Sequence, residues 1–195
     1  MDVGAVLFAE RGFKGATLDL IATRSGLNKA MVAYYFGSKT GLYQAVLDAG
    51  VEAVLKQVDA VGLDTLPSRD RLPAHARAIA CGFSDAPFLP GMLVQDYLGG
   101  SQQKRPEAAA SLMRLFQITR GLVEAGQNEG SFRDADPHLV HLSLVGGLIF
   151  YGLTAPYRAA MEGAGKWTTS NPDIVEFADY LGRTIRDGLK PPQDT

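Results

Sequence analysis

Cysteine is almost missing from this chain. Cys81 stands alone among 195 residues, so no disulfide can form within the chain, and the usage fits a reducing, cytoplasmic setting. A surplus of one charge is missing too. Nineteen Lys and Arg stand against 21 Asp and Glu, a net charge of −2, which excludes a generally basic protein held to nucleic acid by bulk attraction. No apolar run reaches the ~18–20 residues of a membrane span; the nearest, residues 139–153, is interrupted by glycines and a histidine. The N-terminus lacks the basic, apolar, small-residue series of a secretory signal. There is no internal repeat, no low-complexity tract and no convincing strand. No nucleophile–base set, paired carboxylates or phosphate-cradling loop stands out, so neither an enzyme nor a cofactor is expected. His138 and His141 are three apart on one helical stretch but have no Cys or acidic partner nearby, so no metal site is expected.

What the chain does have is a dense helical pattern with clear punctuation. Residues 18–39 read as two short helices across a tight turn. Thr17 has the hydroxyl of an N-cap, Gly26 can take the positive φ that ends a helix, and Asn28 caps a second helix over 29–36. Ser38 caps a third that runs to about residue 61. Two short helices across a turn of three or four residues are the helix-turn-helix geometry, whose second helix enters the DNA major groove. Residues 2–11 form a helix ahead of this unit, ended near Gly12. Leu7, Phe8, Phe13, Leu18, Ile21, Leu27, Val32 and Phe36 are its expected core, closed by Leu42, Tyr43, Val46 and Leu47. Charge shifts slightly positive here, with five Lys or Arg against four Asp or Glu over residues 1–50.

Downstream, residues 62–73 carry a glycine, two prolines and mixed charge, and read as a break. Helices are expected over 74–83, 88–99, 106–129, 137–163 and 172–188, with Asp136 and Asn171 capping the last two. The helix from 137 is apolar almost all round and must be covered all round. Gly146, Gly147 and Gly152 would let another helix come close. The fold class is therefore all-α, with an N-terminal three-helix DNA-binding domain over 1–48 and a helical domain over 49–195.

A family resemblance rests on the first quarter of the chain. Val6-Leu7-Phe8-Ala9-Glu10-Arg11-Gly12-Phe13 is followed by Thr17, Ile21-Ala22, Gly26-Leu27-Asn28-Lys29, Val32, Tyr34-Tyr35-Phe36 and Ser38-Lys39. In register these match T-x-x-x-I-A-x-x-x-G-(V/L)-(S/N)-K-x-x-(L/V)-x-Y-(H/Y)-F-x-S-K, so the block resembles the DNA-binding domain of TetR-type regulators. The resemblance implies that Lys29, Met31 and Ala33 reach base edges or nearby sugar. It implies that Thr17, Tyr34, Tyr35 and Lys39 touch phosphates. The chemistry agrees: lysine donates to guanine, tyrosine and threonine hydroxyls donate to phosphate, and methyl groups meet thymine. Two positions depart from the pattern. Ala33 sits where tyrosine is common, and Asp19 sits where some members are basic. Such proteins usually carry a longer lead-in before the first helix; either the true start lies upstream or this protein lacks that arm.

The resemblance further implies a homodimer joined through its last two helices, a near-palindromic double-stranded operator, and a small apolar effector bound in the second domain. Candidate pocket residues are Phe83, Phe88, Met92, Tyr97, Phe116, Phe150, Tyr151 and Tyr157, against the plainer reading that most are ordinary core. The expected function is a transcriptional regulator, most often a repressor in such proteins. Two alternatives stand beside it: a ligand-independent regulator or activator on the same scaffold, and a helical small-molecule-binding protein or enzyme with a vestigial DNA-binding domain.

Overall fold

The computed structural model describes residues 1–98, 106–166 and 170–192, without the side chains of Tyr97 and residues 106–111. Its described residues contain no strand. The first four helices are α1 (Asp2–Gly15), α2 (Leu18–Ser25), α3 (Lys29–Phe36) and α4 (Lys39–Val61). Each boundary has a local cause. Thr17 Oγ1 accepts the Leu20 N–H at 3.2 Å, Asn28 Oδ1 that of Ala30 at 2.9 Å, and Ser38 Oγ that of Gly41 at 3.0 Å. Gly26 closes α2 at φ 68°, a conformation that costs a side-chain-bearing residue more. Within α1, Gly12 breaks the helical geometry with φ 65°, and the chain then turns for Phe13 to reach inward.

The small N-terminal core forms around an aromatic cluster. Tyr43 of α4 meets Phe8 edge-on at 4.9 Å and Phe13 at 5.4 Å. Leu7, Phe8, Ile21, Val32, Leu42, Val46 and Leu47 are buried, and Phe13, Leu18 and Phe36 pack against them. Leu27 does not join: it is 48% exposed, because the turn after Gly26 carries it to the surface between α2 and α3.

The second part comprises α5 (Ser68–Asp85), α6 (Leu89–Leu98), α7 (Pro106–Asn128), α8 (Pro137–Leu153), α9 (Ala155–Gly163) and α10 (Ile174–Gly188). Three boundaries differ from expectation. α5 begins at Ser68, so the supposed break holds its first turns. Pro67 precedes the helix while Pro73 lies inside it, where it removes one backbone bond but places Leu72, His75, Ala76 and Ile79 in the core. The long helix expected from 137 breaks at Thr154 and bends by 46°. Pro156 has no N–H for the Gly152 carbonyl, which makes this the weak point of the ladder. The last helix is capped by Asp173, not Asn171: Asp173 accepts the Val175 and Glu176 N–H groups at 2.8 Å, and Glu176 accepts the Asp173 N–H in return. Asn171 instead accepts from Arg158 at 2.8 Å and donates to Glu162 at 3.0 Å, tying the preceding loop to α9.

α5 lies between α4 and α10, and bare backbone makes both contacts possible. A Cβ on Gly82 would overlap Val54 of α4, and one on Gly182 would lie 2.7 Å from Pro73 Cα. The stack also encloses a polar residue. His75 is completely buried, with Nε2 3.0 Å from Thr119 Oγ1 of α7 and no partner for Nδ1. Burial, and then the nearby His141, push its pKa down to about 3.

Two outcomes follow for stability. Gly82→Ala should destabilise the protein by about 2–4 kcal/mol in urea unfolding, since α4 and α5 must separate. Gly121→Ala, in open space on α7, should gain up to about 1 kcal/mol; equal effects would contradict the packing. The second outcome concerns pH. An unfolded His75 takes up its proton near 6.5, whereas the folded one stays neutral until about 3. Its contribution is therefore complete above pH 6.5 and falls with pH by about 1.4 kcal/mol per unit. Between pH 7 and 5 the wild type should lose about 2 kcal/mol more than His75→Gln.

Candidate nucleic-acid interface and ligand cavity

α3 is anchored by little and shows much. Val32 alone is buried and Phe36 is half-buried, while Lys29, Ala30, Met31, Ala33, Tyr34 and Tyr35 are exposed. Tyr34 is 84% and Tyr35 68% exposed, their rings edge-to-face at 5.3 Å. Neither tyrosine belongs to the core. A short helix presenting two aromatic hydroxyls, a lysine and a methionine on its outer side has the donors and apolar atoms that phosphate and base-edge contacts require. Thr17 is also exposed; its oxygen caps α2, which leaves its hydroxyl proton available to a phosphate.

Two cations are not simply displayed. Lys29 Nζ lies 2.8 Å from Asp19 of α2, with both side chains more than half exposed. The pair contributes at most about 1 kcal/mol in water, yet it halts Lys29 beside a carboxylate. Lys39 is committed to structure. Its ammonium donates to the Phe13 carbonyl at 2.7 Å and lies 4.3 Å from that ring's centre. It thereby ties the end of α1 to the start of α4, and a phosphate contact would have to share it.

The second site is a cavity of about 830 Å³ between α5, α6, α7 and α8, within the usual size of ligand pockets. Phe83 enters from α5, Leu93 and Val94 from α6, Phe116 from α7, and Val145, Ile149 and Phe150 from α8. No Asp, Glu, Lys or Arg is among the described lining residues. α8 packs against α5, α6, α7, α9 and α10. One side buries Val140, Leu144 and Leu148, Gly147 receives Leu181 of α10, and the side toward α7 lines the cavity. The wall runs on into an exposed apolar face: Phe150, in the lining, is 72% exposed, and Leu139 beside the lining is 63% exposed.

Of the eight expected pocket residues, Phe83, Phe116 and Phe150 line this cavity. Met92 is fully buried in the core, and Phe88 packs on α4 where a Cβ on Gly50 would meet it at 3.1 Å. Tyr157 is exposed on α9, turned away by the break at Thr154. Tyr151 serves as a clamp: its hydroxyl donates to the Pro172 carbonyl at 2.6 Å, its ring stacks on Phe177 at 4.0 Å, and Arg158 lies over the other face. It also borders a smaller cavity of about 440 Å³ that includes Phe83. The side chain of Tyr97 lies outside the described residues. Aromatic residues were the signal sought in the sequence; most of the wall is aliphatic, and aliphatic residues look alike in core and cavity. His138 and His141 are both in the wall, and no cluster of three metal-ligating groups occurs among the described residues. His141 Nδ1 lies 2.9 Å from Thr119 Oγ1.

Comparison with known proteins agrees with this geometry. Residues 1–46 match the family model described as bacterial regulatory proteins, tetR family. The chain is 25% identical over 186 residues to the HTH-type transcriptional regulator RutR of Escherichia coli K12, covering 94% of this chain and 85% of that protein. It is 30% identical over 131 residues to the HTH-type transcriptional repressor NicS of Pseudomonas putida, covering 66% and 61%. The crystal structure of the transcriptional regulator FadR from Bacillus subtilis, in complex with stearoyl-CoA, superposes with a TM-score of 0.71 at 14% identity, covering 96% of each chain. The matched helix-turn-helix and the outward α3 make residues 1–46 a DNA-binding domain of the tetR type, and over nearly its full length the chain is similar to DNA-binding transcriptional regulators.

Proposed function

We propose that this chain acts as a homodimeric repressor, which leaves a near-palindromic operator when a small apolar molecule enters the cavity. Residues 1–48 would form the DNA-binding part and 49–195 the effector and dimerisation part. The observation that carries the reading is the outer face of α3, where Lys29, Met31, Ala33, Tyr34 and Tyr35 are exposed together. In a dimer, two such helices would enter successive major grooves about 34–36 Å apart. A protein of this kind works on DNA in the bacterial cytoplasm, and no single described helix is long and apolar enough to cross a membrane.

Dimerisation is supported by the exposed side of α8. Leu139, Leu142, Gly146, Phe150 and Leu153 recur there at helical spacing, with Tyr180 of neighbouring α10 also exposed. Leu142, Gly146, Phe150 and Leu153 also line the cavity, so a second helix seated on this face would cover its open side. A contiguous apolar face of this kind marks an interface. Pairing of α8 and α10 with their copies gives a four-helix contact with apolar residues at its centre.

Effector control is supported by α6, which touches both sites. Its Leu93 and Val94 face the cavity. Its opposite side lies on the N-terminal part: a Cβ on Gly91 would lie 3.1 Å from Ala9 Cβ, and one on Gly12 2.9 Å from the Gln95 side chain. A ligand that favours another position of α6 would therefore move α1 and, with it, α3. Such control requires different ligand affinity for the two arrangements.

A mobility-shift assay against the protein's own upstream region tests the reading; absence of specific retention at low salt would reject it. Asp19→Asn should tighten binding several-fold by freeing Lys29 and removing a charge that repels phosphate, and Lys29→Ala should weaken it by about tenfold. Leu139→Glu combined with Ser143→Glu, both exposed and outside the cavity wall, should leave a folded monomer in sedimentation and abolish tight operator binding. A variant that stays dimeric would place the interface elsewhere.

A further inference from the structure

Three polar residues among those described line the cavity, His138, His141 and Thr154. Thr154 is taken up by the Phe150 and Tyr151 carbonyls and by Arg158, whereas His141 belongs to a buried bonded chain that restricts what the cavity can hold. His75, Thr119 and His141 form a chain across α5, α7 and α8, with steps of 3.0 and 2.9 Å. Thr119 is fully buried and is not part of the wall, whereas His141 is. The edge of the His141 ring bearing Nδ1 is thus turned back to Thr119. The opposite edge, bearing Nε2, has no hydrogen-bond partner among the described residues, and with Nδ1 held by Thr119 it is the polar atom that His141 can offer to the cavity.

Proton bookkeeping along the chain fixes the chemistry. His75 Nδ1 is buried without a partner among the described residues. An unpaired N–H is costlier there than a bare nitrogen lone pair, so the His75 proton sits on Nε2 and is donated to Thr119 Oγ1. The Thr119 hydroxyl then has two outlets. It donates to the Leu115 carbonyl at 3.1 Å, in which case His141 donates from Nδ1 and shows a bare Nε2. Or it donates to His141 Nδ1, and Nε2 carries the proton. Rotation of one hydroxyl therefore lets the same ring accept from an alcohol or donate to a carbonyl. Charge fits neither arrangement. The described wall offers no cation for a carboxylate or phosphate and no anion for an amine, and burying an unpaired charge is strongly unfavourable. Burial, followed by neighbouring His138, lowers the pKa of His141 and keeps the ring neutral.

Building on the effector reading above, we infer that the cavity selects an uncharged, mostly hydrocarbon ligand with one hydroxyl or carbonyl group, held by His141 Nε2. Phe83, Leu93, Val145 and Ile149 take the hydrocarbon body, and the polar end lies beside His141 and Phe116. The Phe116 ring meets His141 edge-on at 5.5 Å and helps to fix its orientation.

The test uses the full-length protein and four compounds of one shape: butylbenzene, 4-butylbenzyl alcohol, 4-butylacetophenone and 4-butylbenzoate. Affinity is read from displacement of Nile red, an uncharged dye, and from thermal midpoints. The alcohol and the ketone should bind about tenfold more tightly than butylbenzene, the gain of one buried hydrogen bond. The benzoate should bind at least about tenfold more weakly than the alcohol. His141→Phe should erase the advantage of alcohol and ketone while keeping butylbenzene binding, and His138→Phe should leave the advantage intact. Should His141→Phe fold poorly, the ring-nitrogen NMR signals of the wild type serve instead, since the chain has three histidines and only His141 Nε2 should shift strongly with the alcohol. Benzoate binding as tightly as the alcohol, or an advantage that survives loss of His141, overturns the inference but leaves the effector cavity standing. Failure of all four compounds to displace the dye or raise the midpoint removes the cavity reading itself, and this inference with it.

Discussion

The close approach of α5 to α4, backbone against side chain at Gly82 and Val54, is the constraint on which the remaining architecture depends. α4 is shared by both parts of the molecule: its early residues Leu42, Tyr43, Val46 and Leu47 close the N-terminal core, and its later ones, from Val51 to Val58, are buried beneath the second part. With α5 seated on it at this depth, Pro73 reaches Gly182 of α10 on the opposite side. α8 can then lean on α10 through Gly147 and Leu181. Three glycines thus set three helix spacings. The cavity is the space that α6 and α7 leave against this stack.

α6 converts that geometry into a connection. A helix of ten residues has two broad sides, and here one side belongs to the cavity and the other to α1. Nothing flexible separates them. The small residues Gly91 and Ala9 keep the α1 contact close, so α1 would register a displacement of α6 instead of having it absorbed by long side chains. The N-terminal unit is too small to hold its shape on its own core. It borrows order from α4 and α6, and through that borrowing a distant cavity would influence α3.

The DNA face is built for restraint as much as attraction. A net charge of −2 leaves non-specific attraction weak, and the Asp19–Lys29 pair holds one of the few suitable cations in check. Lys39 spends its charge on the Phe13 carbonyl and ring. Tyr34 and Tyr35 keep their hydroxyls outward at little entropic cost, since each ring steadies the other. Binding would then depend on shape and hydrogen bonding at matched positions, with bulk charge in a minor role.

The N-terminal unit was legible from local sequence because its boundaries are local chemistry. Thr17, Asn28 and Ser38 cap, Gly26 turns, and the caps involve neighbours two or three residues away, so reading along the chain was enough. α3's outward face followed from the same register. Tertiary structure decided what depends on distant partners. Whether Pro73 ends a helix or sits within one turned on Gly182, more than a hundred residues later. Asn171 looked like a cap until Arg158 claimed it. Leu27, apolar and in register, was left outside because no helix came to cover it. The cavity was beyond the sequence altogether: Met92 and Phe83 carry the same apolar signal, and only the angle between helices determined which one faces a filled core and which an open space. His141 shows this most plainly, since its role rests on Thr119 and His75, residues 22 and 66 positions away that no periodicity connects.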